Sequence, residues 1–526
     1  MGLQSAMQMR IIDQNTGKEH TITAKAGQTV LDALNSAKLT IKAPCGGNKT
    51  CGKCLVEISG NVEPANAQEA GFIADKPGFR LACFAKLTGD CCVTIPKSAE
   101  DSILGGVSLP EFSPQLSQNP AIGAAVDIGT TTIVVYLFDL QTNRLLATVS
   151  QLNRQHTFGA DVISRINYTM TNENGLETVT NTIRQQLDEM IAQAVEKAGR
   201  AMDEMEKITV SANTVMCHLF CGIDAQSIAQ APFTPQSYFG QWLDSATLGL
   251  CAKKGVYVVR AVSGYVGGDI TAGMQTCRVE RSENPVLFLD IGTNGEMAIG
   301  NNTRIITCAT AAGPAFEGAN IVCGVGAVSG AINRVEVKDG KLEFSTIKDA
   351  KPIGICGSGL VDLLAALLEI GAVDETGRLL PPDEAPGVDG LEEDENGDVI
   401  YRIDQNIYIT GADVRNLQLA KAAIAAGIAT LLQVWGIKAE QVEALYLAGG
   451  FGNYIDKHSA IKIGLFPKEI ESKVSSVGNS AGNGAVLALL SDVELEQSSK
   501  LAQKCEYLEL SSNGVFMENY VECMMF

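Results

Sequence analysis

Histidine is scarce in this chain. There are four in 526 residues, His20, His156, His218 and His458, with no pair at a metal-ligand spacing. That argues against a zinc enzyme built on imidazole ligands. Positive charge is also in deficit: 40 Lys and Arg against 60 Asp and Glu leave a formal charge of −20. Nucleic acid and anionic membrane surfaces both call for a basic footprint, so neither is expected as a partner. No apolar run reaches the ~18 residues of a membrane span. The longest stretch, 422–437, is interrupted by Gly427 and Gln433 and reads as a buried helix. The N-terminal MGLQSAMQMR lacks a basic segment followed by an apolar core, so no secretory leader and a cytoplasmic location are expected. Fifteen cysteines, an odd count with no leader, argue against disulfides. No GxxxxGKS/T occurs, which excludes a P-loop nucleotidase.

What is present fits a globular protein of two to four domains, with 46% apolar and 19% charged residues. Near the N-terminus Met7, Met9 and Ile11 alternate with polar residues. Asn15-Thr16-Gly17 predicts a turn, and Thr21–Ala24 a returning strand. Thr29 and Asp32 predict a capped helix with Val30, Leu31 and Leu34 on one face. Then Cys45, Cys51 and Cys54 follow the pattern C-x5-C-x2-C, and Cys83 stands 28 residues further on in RLACFA. Hairpin, helix and cysteine loop in this order resemble the β-grasp fold of [2Fe-2S] ferredoxins. Two bridged irons need four thiolates, and three can come from one tight loop. Gly46, Gly47 and Gly52 would let that loop fold around the cluster and turn amides toward its sulfurs. Cys91 and Cys92 are expected on opposite faces of a strand. Cys505 and Cys523, without a CxxCxxC run, are expected to be ordinary thiols. Pro110, Pro114 and Pro120, with several Ser and Gly, mark 97–120 as a linker that would let the first domain move.

The remainder contains a repeat. AAVDIGTTTIVVYL (124–137) and VLFLDIGTNGEMAI (286–299) each read as an apolar strand, a DIGT turn and a second apolar strand. Backbone amides of such turns can cradle phosphate oxygens, and an Asp at the strand end can hold Mg²⁺ through water. A third segment, ALYLAGGFGNYID (444–456), is a strand running into GGFG. Together the three motifs resemble the actin/Hsp70/sugar-kinase ATPase superfamily. Other glycine-rich segments are expected to line the cleft: GYVGGDITAG (264–273) with Asp269, the segment 311–330, and GICGSGL (354–360). Asp269 reads either as a group that orients water or as a helix cap. GSG reads either as a phosphate or hinge loop or as a plain helix start. His218, in an apolar stretch, reads as a core histidine. The acidic segment 381–398 reads as a solvated excursion.

Over nearly its whole length the chain resembles the ATP-dependent reductive activators of corrinoid proteins. The resemblance rests on the cysteine loop with RLAC, AVDIGTTT, GADVISRI (159–166), GYVGGDITAG, FLDIGTNGEMAIGN, AAGPAFEGANI, ICGSGL, LQLAKAAI (417–424) and LAGGFG. It implies an α/β and α+β multidomain fold: a β-grasp [2Fe-2S] ferredoxin over 6–97, a linker over 98–121, and a two-lobed actin-like (ASKHA, ribonuclease-H-like) ATPase with lobes at 122–284 and 285–526. It implies a [2Fe-2S] cluster on Cys45, Cys51, Cys54 and Cys83, and ATP with Mg²⁺. Asp127, Gly129, Thr130, Thr131 and Thr132 would form one phosphate loop. Asp290, Gly292, Thr293, Asn294 and Gly295 would form the other, with Asp127 and Asp290 toward Mg²⁺. Gly449, Gly450, Phe451 and Gly452 would contact adenosine, and Asp269 and Glu296 would position water. The implied activity is one-electron reduction of a Co(II) corrinoid protein of a methyltransferase system to Co(I). A homodimer is implied, as is a donor such as reduced ferredoxin or flavodoxin. Three other readings compete: an ATP-driven donor to another low-potential metalloenzyme, a redox-sensing ATP-binding protein, and a sugar or acid kinase, which would have no use for a cluster.

Overall fold

The structure is a computed structural model that describes residues 7–14, 18–37, 39, 41, 49, 52, 54–73, 78–96, 107–452 and 454–526. The chain divides into two compact units, Met1–Ala99 with Asn153–Ile183, and Glu100–Leu152 with Arg184–Phe526. This division is not sequential: residues 153–183, inside the expected first ATPase lobe, pack with the N-terminal segment. A physical reason is visible at His156. Its Nε2 lies 2.8 Å from the Ile41 carbonyl while its Nδ1 lies 2.8 Å from that of Asn153. Asp161 caps the helix that follows, accepting from the Ser164 N–H.

The first unit is built on β1 (Met7–Asp13), β2 (Lys18–Ala24), helix α1 (Val30–Ser36), β3 (Leu55–Val62), α2 (Ala67–Ile73), β4 (Phe79–Leu81) and β5 (Leu87–Ile95), and adds α3 (Val162–Thr171). The strands form one mixed sheet in the order β2-β1-β5-β3-β4. β1 and β2 are the antiparallel pair expected from the alternation, with Met9 and Ile11 buried. The intervening turn residues lie outside the described set. Thr29 caps α1, its hydroxyl accepting from the Asp32 N–H, and Val30, Leu31 and Leu34 are buried. On β5, Cys91 is buried and Cys92 half-buried, as the strand alternation requires.

The second unit contains two six-stranded sheets. The first uses β6 (Ile122–Ile128), β7 (Thr132–Asp139), β8 (Arg144–Leu152), β9 (Met205–Ala212), β10 (Gln241–Leu243) and β11 (Gly255–Val258), in the order β10-β11-β9-β6-β7-β8. Its helices are α4 (Gly175–Lys197), α5 (Thr214–Cys221) and α6 (Gly268–Thr276). The second sheet starts with β12 (Val286–Ile291), β13 (Gly295–Gly300) and β14 (Ile305–Thr310). A two-part insertion follows: β15 (Ala331–Lys338), β16 (Lys341–Thr346), β17 (Gly354–Ile355) and α7 (Gly357–Glu369), then β18 (Leu391–Glu393), β19 (Val399–Asp404) and β20 (Ile407–Thr410). The chain re-enters through α8 (Gly411–Trp435), β21 (Leu445–Ala448), α9 (Gly449–Gly452), α10 (Lys457–Lys462), β22 (Val474–Gly478), α11 (Ser480–Leu490), α12 (Asp492–Lys504), β23 (Cys505–Tyr507) and α13 (Gly514–Glu522). The second sheet runs β22-β21-β12-β13-β14-β23.

The two sheets share one plan. In each, an antiparallel meander (β6-β7-β8, β12-β13-β14) is extended on its first strand by parallel strands (β9 and β11, β21 and β22). The repeat in DIGT is therefore a repeat of topology. Strands β6 and β12 sit inside their sheets and read as nearly unbroken apolar runs, as strands covered on both faces do. α8 is long and apolar enough by composition to cross a membrane, yet it is a core helix. It starts at Gly411, earlier than the apolar run suggests, because Thr410 and Asp413 form a capping box there. The described part of the expected linker is tied down. Val107, Leu109 and Phe112 pack beside Tyr136 and Ala485, and the N–H groups of Gln115 and Ser117 donate to the carbonyls of Leu490 and Leu140.

Helices α6 and α11 cross at very close range between the two sheets. A Cβ on Gly484 would stand 2.4 Å from the Ala272 carbonyl oxygen, and one on Gly273 would stand 2.4 Å from the Phe288 ring. Thr209 of β9 donates to the Ala485 carbonyl, so α11, which follows the second sheet in sequence, rests on the first. A Gly484→Ala change gains about 1 kcal/mol of helix propensity. It also drives a methyl into backbone that cannot swing aside, at a cost of about 1–3 kcal/mol or more. The expected result is net destabilisation in urea denaturation; equal or greater stability would show that the crossing is looser than described.

Candidate functional site

Of the four expected cluster ligands, Cys45 and Cys51 lie outside the described residues, as do Gly46 and Gly47. Cys54 and Cys83 are buried with their Sγ atoms 3.3 Å apart, too far for a disulfide and close enough to ligate one centre together. Their loops are held by backbone: Ala82 N–H donates to the Cys54 carbonyl at 2.9 Å. Beside them, Arg80 makes a two-pronged ion pair with the buried Glu69, which also accepts from the Leu81 N–H. Glu69 escaped sequence reasoning because nothing local marks it; its partner lies 11 residues away on another element. Gly52 has φ +61, and a Cβ there would meet the Phe72 ring at 2.7 Å, so the glycine is needed for conformation and for space.

In the second unit Asp127 ends β6, Asp290 ends β12, Glu296 opens β13, and Asp269 stands in the first turn of α6. Strand pairing sets Glu296 directly opposite Asp290. All four are half-buried, and they sense one another. Burial raises Asp127 to about 7, with Asp290 adding to it. Burial and then Asp290 raise Asp269 to about 8. Burial raises Asp290 to about 6. Glu296 is pushed well above the usual carboxylate range by burial, then by Asp269 and Asp290. Among the described residues none of the four makes an ion pair with Lys or Arg. Four carboxylates thus come near one another without a cationic partner among the described residues. Asp269 is not the cap of α6, whose N-cap is Gly267.

The turns beside them are held by their own hydrogen bonds. Gly129 N–H donates to the Thr132 carbonyl at 2.9 Å, closing the β6–β7 turn, and Thr131 is exposed at its tip. Asn213, the cap of α5, donates to the Thr130 hydroxyl at 3.1 Å. In the β12–β13 turn Thr293 donates to Glu317 at 3.1 Å, and Gly292 and Asn294 are bridged by backbone. Gly295 serves packing: its Cβ would strike Ile424 of α8 at 2.1 Å. Because β21 lies beside β12, the GGFG turn follows directly. Gly449 has φ +82, and a Cβ there would come 2.5 Å from Asp290 Oδ1, whereas Gly450 faces open space. Phe451 stacks on Phe316 with centroids 4.8 Å apart, and Gly452 is buried against Leu447. Glu317, Asn213 and Asn479 were missed; the Asn residues carry a signal in hindsight, since each sits between a strand and a capped helix.

Other expectations resolve into packing. Gly357 and Gly359 admit the carbonyls of Phe316 and Ile332, where a Cβ would come within 1.8 and 2.2 Å, so GSG is a close-packed helix start. His218 is buried, with Nδ1 against the Thr214 carbonyl and Nε2 accepting from the Ser237 N–H. Cys505 and Cys523 are half-buried thiols.

Comparison with known proteins agrees with this arrangement. Residues 13–88 match the model of the 2Fe-2S iron-sulfur cluster binding domain, 122–282 that of the RACo middle region, and 284–526 that of the C-terminal domain of RACo, the ASKHA domain. The chain is 36% identical to the corrinoid activation enzyme RamQ of Eubacterium limosum, over 81% of this chain and 74% of that one. It is 27% identical to the [Co(II) methylated amine-specific corrinoid protein] reductase of Methanosarcina barkeri, over 76% of each. A solved structure of a reductive activator for corrinoid, iron-sulfur protein aligns over 98% of both chains at 32% identity, with a TM-score of 0.69. The fold is therefore an iron–sulfur ferredoxin domain joined to an ASKHA-type ATPase body.

The raised carboxylates give the cation-free protein a definite pH response. The unfolded chain releases these protons near pH 4, whereas the folded cleft holds them until about pH 6 to 8. Between those limits the folded state binds more protons, so stability falls as pH rises. Asp127→Asn, which removes one buried charge, is expected to stabilise the metal-free protein by about 1 kcal/mol at pH 8 and by little at pH 5. Thermal melts at the two pH values check this; an equal gain at both, or a loss at pH 8, would contradict it.

Proposed function

This chain belongs to the family of corrinoid reductive activators, and on that premise we propose that it uses ATP to drive one electron from an N-terminal [2Fe-2S] cluster to a Co(II) corrinoid protein. The product is Co(I), the state that accepts a methyl group in a methyltransferase system. One observation carries the reading: a single chain holds a buried thiol pair in one unit and a duplicated carboxylate cleft in the other. A cluster bound by Cys45, Cys51, Cys54 and Cys83 would supply a one-electron carrier. The protein around it supplies shape. Burial of Cys54 and Cys83 keeps water from one side, and the Arg80–Glu69 pair fixes the loop that carries Cys83.

In the cleft, Asp127 and Asp290 would hold Mg²⁺ from opposite repeats. The two DIGT turns would offer backbone amides and the exposed Thr131 hydroxyl to phosphate oxygens. Gly450 leaves room for the adenosine end beside the second sheet. Glu296 and Asp269, both raised above the usual carboxylate range by burial, would orient water. ATP can favour one arrangement only through differential affinity for it. A ligand that bridges turns from both repeats has that property, because it binds best when the two sheets are at one particular separation.

The coupling needed is modest. Each 59 mV by which Co(II)/Co(I) lies below the donor costs a factor of ten, ~1.4 kcal/mol. The physiological electron donor is proposed to be a small low-potential carrier such as a reduced ferredoxin or flavodoxin.

Paired substitutions separate the two halves. Cys54→Ala is expected to abolish the visible cluster absorption and retain ATP binding. Asp290→Ala is expected to keep the absorption and weaken MgATP at least tenfold, by loss of a charged ligand. Both should lose Co(I) formation. An Asp290→Ala protein that still forms Co(I) at the wild-type rate would refute the role of the cleft.

A further inference from the structure

Arg334 of β15 stands between two carboxylates that belong to different elements. Its Nη1 donates to Asp456 Oδ2 at 2.8 Å, and its Nε lies 3.8 Å from Asp362 Oδ2. Asp362 is buried on α7, where the same oxygen accepts from the Val335 N–H at 3.3 Å. Asp456 has its other oxygen engaged: Oδ1 accepts from the Ser459 N–H at 2.9 Å, which makes Asp456 the N-cap of α10. The arginine therefore joins the insertion, through β15 and α7, to a residue four positions beyond Gly452 of the GGFG turn. The insertion grips the turn at a second point. Phe451 stacks on Phe316, and Gly357 at the start of α7 lies beside the same ring, since a Cβ there would come 3.1 Å from Phe451 Cδ2. From the body, Ser476 of β22 donates to the Gly452 carbonyl at 2.9 Å.

A turn with three glycines in four residues has little stiffness of its own, so its place is set by what it leans on. Capping α10 needs only one oxygen of Asp456. The second oxygen is free for another task, and the planar guanidinium of Arg334 gives it one. Resting on the reading of the GGFG turn as the adenosine contact, we propose that Arg334 is a positioning residue: with Asp456 and Asp362 it locks the insertion to that turn and so sets the affinity for the nucleoside end of ATP. The insertion is then the back wall of the nucleotide site. None of the three residues is one of the four cleft carboxylates, so their effect falls on the nucleoside and not on the cation.

The test uses the full chain, anaerobic and with its cluster loaded. ATP affinity is measured with Mg²⁺ and with EDTA, alongside thermal midpoints, for wild type, Asp456→Asn, Arg334→Gln, Arg334→Lys and Gly450→Val. Asp456→Asn keeps the capping oxygen and turns the other acceptor into a donor. It is expected to melt close to wild type and to bind ATP about threefold more weakly in both conditions, the worth of a partly exposed ion pair, with the tightening by Mg²⁺ unchanged. Arg334→Gln should match it, and Arg334→Lys, which keeps the charge, should recover part of the loss. Gly450→Val fills the open space beside the turn and should weaken ATP more than either. If Gly450→Val weakens ATP while Asp456→Asn and Arg334→Gln leave it unchanged, or reduce only the Mg²⁺ effect, the positioning role is wrong and the reading of the turn stands. If Gly450→Val also leaves ATP binding unchanged, that reading fails and the positioning role with it. Should Arg334→Gln fold poorly, because it leaves Asp362 buried without a cation, Asp456→Asn decides alone.

Discussion

Much of the second unit is organised around negative charge that has nowhere to go. Two apolar strands, β6 and β12, each end in an aspartate, and each is flanked in its sheet so that the aspartate is delivered to the same cleft. Glu296 and Asp269 add to it, and no lysine or arginine among the described residues pairs with the set. Like charges facing one another across a strand pair are unfavourable. The proposed Mg²⁺ of a bound nucleotide would offset it. The close helix crossing, the glycine that admits Asp290 Oδ1, and the capped helix that braces Thr130 are the means by which the backbone brings these groups together.

The two repeats are alike in topology and unlike in chemistry. Asp127 faces Val134 across its strand pair, and Asp290 faces Glu296. The second repeat therefore brings an extra carboxylate, plus Glu317 leaning on Thr293. The first brings threonines at 130, 131 and 132 and Asn213, which donates to the Thr130 hydroxyl. A ligand between them would meet one side rich in acid groups and another rich in neutral donors. That asymmetry suits a polyphosphate with a divalent ion, since the ion needs the acids and the phosphate oxygens need the donors.

The sequence made local features legible and left long-range ones hidden. The hairpin, the Thr29 cap, the strand face of Cys91 and Cys92, the core role of His218 and the DIGT repeat follow from neighbours within a few residues, and all appear in the structure. Glu69 with Arg80 and Glu317 with Thr293 are partners separated by 11 and 24 positions, and no local pattern announces them. GSG left two readings open, a phosphate or hinge loop and a plain helix start, because glycine serves ligand approach and helix packing alike; the carbonyl of Phe316 against Gly357 shows the close packing. The proline-rich spacer read as a linker from composition, yet residues 107–121 hold apolar side chains that the second unit buries. Residues 153–183 pack within the first unit, and the hydrogen bond between His156 and the carbonyl at 41 leaves no trace in composition.

Conversion of Co(II) to Co(I) is the step on which these features converge. Reduced protein mixed anaerobically with a Co(II) corrinoid methyltransferase protein, with and without MgATP, tests it most directly through the Co(I) absorption band. The account predicts Co(I) that accumulates with MgATP and stays near baseline without it. Equal Co(I) with and without nucleotide, with cluster and ATP both bound, would contradict it.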